Sequence, residues 1–105
     1  MNRQQLHSAL AQATTSTFEE LALLVVTVPD APAADDAAPR PPCGVRVDFV
    51  GPWNGSVVVR TAEAVLDAAA ANMLGIAAAP DAPARRDALG ELANVICGNV
   101  LPAVA

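Results

Sequence analysis

Four residues near the carboxyl end of the chain have types and a spacing that could do chemistry: Asp87, Glu91, Asn94 and Gly98. In a helix, at about 100° per residue, they fall within a stripe of roughly 60°. The stripe presents carboxylates that accept hydrogen bonds, a carboxamide that donates and accepts them, and bare backbone at the glycine. The opposite side of the same helix is apolar, with Leu89, Leu92, Ala93, Ile96 and Val100.

Two interpretations of this stripe are open. Polar residues on one face of an amphipathic helix usually form its solvated side. Against that, Asn is a poor helix former, and Gly90 and Gly98 each cost about 1 kcal/mol relative to alanine. A face that docks another macromolecule would tolerate this loss of helix stability. Gly98 would then allow a second backbone to come close to Asn94.

Composition bounds the classes of function. The chain has 105 residues, enough for one domain, and is 53% hydrophobic but only 3% aromatic. The chain contains six arginines and eleven acidic residues, which gives a net charge of −5. This balance argues against nucleic acid and anionic membranes as partners, because both need a concentrated positive field. Two cysteines and one histidine do not supply the usual zinc ligands, and they make no secreted disulfide framework.

The first half of the chain predicts a helix, a linker and a hairpin. Residues 4–27 carry apolar residues at helical spacing, although the β-branched end of this stretch also suits a strand. Residues 29–42 contain five prolines and predict a linker or an insertion within the domain. Apolar and polar residues alternate over residues 45–50, and a second apolar run follows at 56–60. Together with the Asn-Gly pair at 54–55, they predict a β-hairpin.

The second half predicts two more helices. Residues 62–74 are strong helix formers, and Gly75 is a helix stop. The last helix is expected from about residue 84 to Leu101, ended by Pro102. This places Asp87 near its first turn, where a carboxylate favours the helix dipole. Asn99 is expected to form a hydrogen bond at the end of this helix, and Cys97 to be a small packing residue.

The stripe resembles the motif of a known family. An Asp or Ser, three residues, a Glu, two residues and an Asn, followed by a glycine and a second asparagine, is typical of the CheC, CheX and FliY chemotaxis phosphatases. Here the pattern reads Asp87, Glu91, Asn94, Gly98 and Asn99. Further matches are the Thr-Phe-Glu-Glu run at 17–20 and the hairpin with glycines at 51 and 55.

The resemblance implies a single α+β domain over residues 1–105, with long helices packed on an antiparallel sheet and an internal pseudo-repeat. Ser16, Glu20 and Leu23 repeat the spacing, with Leu where the Asn should be. The first helix is thus the degenerate half, as in the single-site CheX type. The family continues with further strands, whereas this sequence ends eleven residues after Asn94. We therefore expect a C-terminally truncated chain or a sheet completed by another chain.

The resemblance also implies a function. Family members remove the phosphoryl group from the aspartyl phosphate of CheY-type response regulators, which would make Glu91 and Asn94 the catalytic pair and Asp87 and Gly98 partner contacts. No cofactor is expected in this chain, and Mg²⁺ is expected in the regulator. A cytoplasmic homodimer is expected as well. The alternatives are a non-catalytic module that binds a response regulator and a domain that only oligomerises.

Overall fold

The computed structural model describes residues 2–28, 42–51, 54–77 and 80–104. Within them the fold is α+β, as predicted: three helices pack on a two-stranded antiparallel sheet. The predicted linker at 29–42 lies outside the described residues except for its last residue. In chain order the elements are α1 (Arg3–Ala22), β1 (Cys43–Phe49), β2 (Gly55–Thr61), α2 (Glu63–Leu74) and α3 (Ala82–Val104).

Helix α1 starts at a capping box and stops earlier than predicted. The Gln5 N–H donates to Asn2 Oδ1 at 2.8 Å, and the Asn2 N–H donates to Gln5 Oε1 at 3.0 Å. These two bonds satisfy backbone donors that the first turn leaves free. The helix ends at Ala22, so the prediction that it continues to residue 27 is wrong.

The end of α1 is closed by a left-handed residue. Leu23 has φ 55°, and the Leu24 N–H donates back to the Phe18 carbonyl oxygen at 3.1 Å. Such a bond back to the helix is typical of a helix that ends at a left-handed residue. The β-branched residues that follow lose rotamer freedom in a helix, and residues 24–28 are not helical. Residues 23–28 alternate between exposed and half-buried positions, yet they pair with neither of the two described strands.

The hairpin prediction is confirmed. Strands β1 and β2 pair antiparallel, with Val45 opposite Val59 and Val47 opposite Val57. Burial alternates along β1, so its odd-numbered residues face the helices. The valine pairs thereby form the inner face of the sheet.

Gly55 is required by a close contact at the turn end of the hairpin. It stands opposite Phe49, and a Cβ added at Gly55 would lie 2.7 Å from the Phe49 ring atom Cζ. A side chain at this position would therefore require the Phe49 ring to shift. The connection is longer than an Asn-Gly turn. The Gly51 N–H donates to Asn54 Oδ1 at 3.3 Å within it, and residues 52 and 53 lie outside the described residues.

Helix α2 is tied to the end of α1. Gly75 ends α2 in the left-handed conformation at φ 69°, as predicted. One turn earlier, Asn72 Nδ2 donates to the Ala22 carbonyl oxygen at 2.8 Å. A side chain of α2 therefore satisfies a terminal carbonyl of α1.

Helix α3 lies at the centre of the molecule, because it contacts both other helices and both strands. Leu92 and Ile96 are 0% and 1% exposed. The helix runs on to Val104 with Pro102 inside it, so the predicted end at Pro102 is wrong. Proline lacks the N–H that would bond the carbonyl of Gly98, but in the last turn this loss affects a single bond. Among the described residues, no helix is long and apolar enough to cross a membrane.

Candidate functional site on the last helix

The start of α3 is fixed by a residue that sequence reasoning missed. The Ala84 N–H donates to Asp81 Oδ1 at 2.9 Å, and the Arg85 N–H donates to the Asp81 carbonyl oxygen at 3.0 Å. Asp81 thus caps the helix, and an Asp followed closely by a proline is a signal for such a start. With the helix beginning at Ala82, Asp87 is its sixth residue and lies beyond the first turn. The predicted dipole role of Asp87 is therefore wrong.

The inner face of α3 is the predicted apolar one. Leu92 and Ala93 are fully buried, and they form the core with residues of α1, β2 and α2. Cys97 is buried as well, as expected of a packing residue. Dense packing holds a helix in one orientation, and this orientation decides which side chains of α3 reach solvent. The buried residues of the face are Ala88, Leu89, Leu92, Ala93, Ile96, Cys97 and Val100.

The outer face of α3 carries all four residues of the stripe. Asp87, Glu91, Asn94 and Gly98 are exposed. Among the described residues, no hydrogen bond or ion pair engages the side chains of Asp87, Glu91 or Asn94. At i and i+3 in a helix, the Cβ atoms of Glu91 and Asn94 lie about 5–6 Å apart. A partner could therefore meet a carboxylate and a carboxamide side by side.

The glycines of α3 are not required by contacts within the described residues. A Cβ added at Gly90 or at Gly98 would meet no heavy atom within 4 Å, apart from the helix's own neighbouring backbone. Each of these glycines nevertheless destabilises the helix by about 0.5–1 kcal/mol relative to alanine. Packing among the described residues does not explain why glycine occupies these two positions. Close approach of another molecule to this helix would explain it.

An ion-pair cluster joins α3 to α2 just before the stripe. Arg85 Nη1 donates to Glu63 Oε1 at 3.0 Å and to Asp67 Oδ1 at 3.1 Å. The hydrogen bond to Asp67 and then the one to Glu63 raise the pKa of the guanidinium. The Arg85 side chain is 29% exposed. Ion pairs with solvent-exposed partners contribute little to stability, but this cluster links the N-terminal turns of α2 and α3. Sequence spacing could not reveal it, because the acidic partners lie 18 and 22 residues away.

The spacing found in α1 does not reproduce this arrangement. Ser16 is half-buried and Glu20 is exposed. Leu23, which stands where Asn94 stands in α3, lies outside the helix and is 73% exposed. Asn99 is exposed within α3, five residues before the helix ends. The expected role of Asn99 at a helix terminus is therefore wrong.

Comparison with known proteins finds one family. The family model described as chemotaxis phosphatase CheX matches residues 43–104, more than half of the chain. The match begins at β1 and includes the hairpin, α2 and all of α3, with the four residues of the stripe. No curated protein and no solved structure matches the chain.

Proposed function

The chain belongs to the CheX family of chemotaxis phosphatases, and from this premise we propose that it hydrolyses the aspartyl phosphate of a CheY-type response regulator. One observation carries the proposal. Glu91 and Asn94 lie side by side on the exposed face of α3, inside the matched residues, while the opposite face of α3 is locked into the core.

Asn94 is proposed to orient the attacking water. In phosphoryl transfer, catalysis consists mainly of positioning and of neutralising charge. The regulator is expected to supply Mg²⁺ and a lysine for the charge, which leaves the water to be held in line. A carboxamide can donate and accept hydrogen bonds without adding charge near the phosphoryl oxygens. The side chain of Asn94 is exposed and suits this task, whereas a carboxylate there would repel the phosphate.

Glu91 is proposed to fix the register of the complex. One turn before Asn94, its exposed carboxylate is free to pair with the lysine of the regulator. Such a pair gains strength when docking removes it from water. Asp87 and Gly98 are proposed as further contacts, since both are exposed on the same stripe.

Assembly and location follow as parts of the same proposal. Within the described residues the sheet has two strands and its outer edges are unpaired, and unpaired edges recruit other strands. We therefore expect a homodimer with residues 45–50 or 56–60 near its interface. Its melting temperature should rise with protein concentration, because dissociation is coupled to unfolding. The regulator would place the reaction in the cytoplasm.

The direct test is phosphate release. The purified chain is mixed with a CheY-type regulator that has been phosphorylated by a small phosphodonor, and phosphate is followed over time. Substoichiometric amounts of the chain should speed the loss of phosphate above the regulator's own rate. Binding of the phosphorylated regulator without faster hydrolysis would instead identify a non-catalytic binding module. A chain that self-associates but neither binds the regulator nor speeds its hydrolysis would be an oligomerisation domain.

A further inference from the structure

The last turns of α1 and α2 meet, and three large apolar residues are exposed around this point. Asn72 Nδ2 of α2 donates to the carbonyl oxygen of the peptide group that joins Ala22 to Leu23. The Ile76 N–H donates to a carbonyl oxygen in the last turn of α2 at 3.0 Å, so the chain folds back onto the end of this helix. Leu23, Leu74 and Ile76 are 73%, 53% and 45% exposed. Together they form the helix-end patch.

Leu23 has a backbone conformation that favours glycine. Its φ is 55°, where a side chain crowds the following carbonyl oxygen, so helices commonly end on a glycine at this position. Helix α2 follows this rule with Gly75 at φ 69°. Burial of the leucine does little to offset the strain, because Leu23 is largely exposed within the described residues. A strained residue that the fold itself does not require indicates a role in function.

The surroundings of the helix-end patch are negative. The carbonyl groups at the end of a helix together act as about half a negative charge, and neither α1 nor α2 has a basic residue in its last turn. Glu19 and Glu20, in the last turn of α1, are exposed. Within the described residues these two glutamates form no ion pair. A molecule that complements this surface therefore combines apolar side chains with positive charge.

We propose that the helix-end patch binds a basic amphipathic segment of a partner protein, with apolar side chains against the patch and lysine or arginine beside the two helix ends. The same charges disfavour other occupants. Two copies of the patch placed face to face would bring like charges together, and an anionic membrane would be repelled. The proposal is independent of the phosphatase proposal, because the patch includes no residue of the stripe on α3.

A fluorescently labelled peptide, acetyl-KLAKLAKKLAKLAK, is a suitable probe, because its leucines share one face of a helix. Titration with the intact chain, followed by fluorescence anisotropy, should give saturable binding that weakens as salt is added. The matched peptide with glutamate in place of every lysine should bind about tenfold more weakly, or less tightly still. Leu74→Ala should weaken binding of the lysine peptide by about fivefold, because it removes apolar contact area. Leu6→Ala is the matched control near the start of α1 and should leave binding unchanged.

Leu23→Gly separates docking from folding. Glycine relieves the left-handed strain, so the melting temperature at one fixed protein concentration should rise by about 2–4 °C. Binding of the lysine peptide should nevertheless weaken by about fivefold, because an exposed apolar contact is lost. A lower melting temperature would show that Leu23 packs within the chain and would overturn the proposal. Absence of peptide binding, equal binding of the two peptides, or a change of oligomeric state in Leu74→Ala would also overturn it.

Discussion

Helices α1 and α3, of 20 and 23 residues, each carry a glutamate four positions after a serine or an aspartate. In α3 the helix continues for ten residues beyond Asn94. In α1 it ends at Ala22, one residue before the corresponding Leu23. The backbone of Asn94 is therefore helical, whereas the backbone of Leu23 is in the left-handed conformation.

Residue spacing alone therefore does not build a site. A carboxamide must be held at a fixed angle to a carboxylate, and only a helix that extends past both residues provides this. The two helices also differ in the polarity of the face that they bury. The buried face of α3 is apolar, whereas α1 buries the Thr17 hydroxyl, which has no hydrogen-bond partner among the described residues.

The largest expected effect concerns the core beneath α3. Leu92→Ala should lower the free energy of unfolding by about 2–5 kcal/mol, because Leu92 is fully buried and its truncation leaves a cavity. Leu6→Ala in α1 is the control, since Leu6 is 40% exposed, and it should cost less than about 1 kcal/mol. Urea unfolding at one fixed protein concentration measures both. Equal losses would show that α3 is no better anchored than α1.

The next effect concerns binding of the regulator. Glu91→Ala should weaken the apparent affinity for the phosphorylated regulator by about 1–3 kcal/mol, because a charge pair buried on docking is lost. Glu20→Ala changes the matching position of α1 and should leave the affinity unchanged. Saturation kinetics separate affinity from turnover. An unchanged affinity with lost turnover in Glu91→Ala would contradict the register role.

A smaller effect is expected at the buried hydroxyl of α1. Thr17 is 1% exposed, and its Oγ1 has no hydrogen-bond partner in the part of the chain that the structure describes. Thr17→Val should raise the free energy of unfolding by about 1 kcal/mol, because an unsatisfied polar group leaves the core. Thr15→Val is the control, since the Thr15 hydroxyl donates to the Ala11 carbonyl oxygen at 3.0 Å, and it should give no gain. Thermal unfolding measures both variants, and a loss of stability in Thr17→Val would refute this explanation.

Moving the asparagine from α3 to the matching position of α1 should not restore phosphatase activity. Asparagine accepts the left-handed conformation, so Leu23→Asn should fold normally. Because position 23 lies beyond the helix end, Leu23→Asn combined with Asn94→Ala should show no phosphatase activity. Recovery of phosphate release in this double variant would mean that spacing alone suffices, contrary to the comparison of the two helices.

Much of the fold is local in origin and could be predicted from the sequence. The alternation of Val45, Val47 and Phe49 predicts a half-buried strand, and Gly75 predicts a helix stop; both predictions are confirmed. The two faces of α3 follow from helical periodicity alone. The chemistry assigned to Glu91 and Asn94 came from the family resemblance.

The remaining features depend on contacts that the spacing of apolar residues does not reveal. The end of α1 at Ala22 involves a bond from Leu24 back to Phe18, and apolar spacing alone continues past this point. Arg85 finds its acidic partners on another helix. A groove of about 530 Å³ is lined by residues 25–28 and 57–61, which no local pattern connects.

The central claim is that Asn94 holds the attacking water. Its most direct test compares phosphate release from the phosphorylated regulator in the presence of Asn94→Ala and of Asn99→Ala. Both residues are exposed asparagines of α3, so the two variants carry the same chemical change. Asn99→Ala should stay within about twofold of the unsubstituted chain, and Asn94→Ala should give no acceleration beyond the regulator's own rate. Asn94→Ala that hydrolyses as fast as Asn99→Ala would contradict the claim.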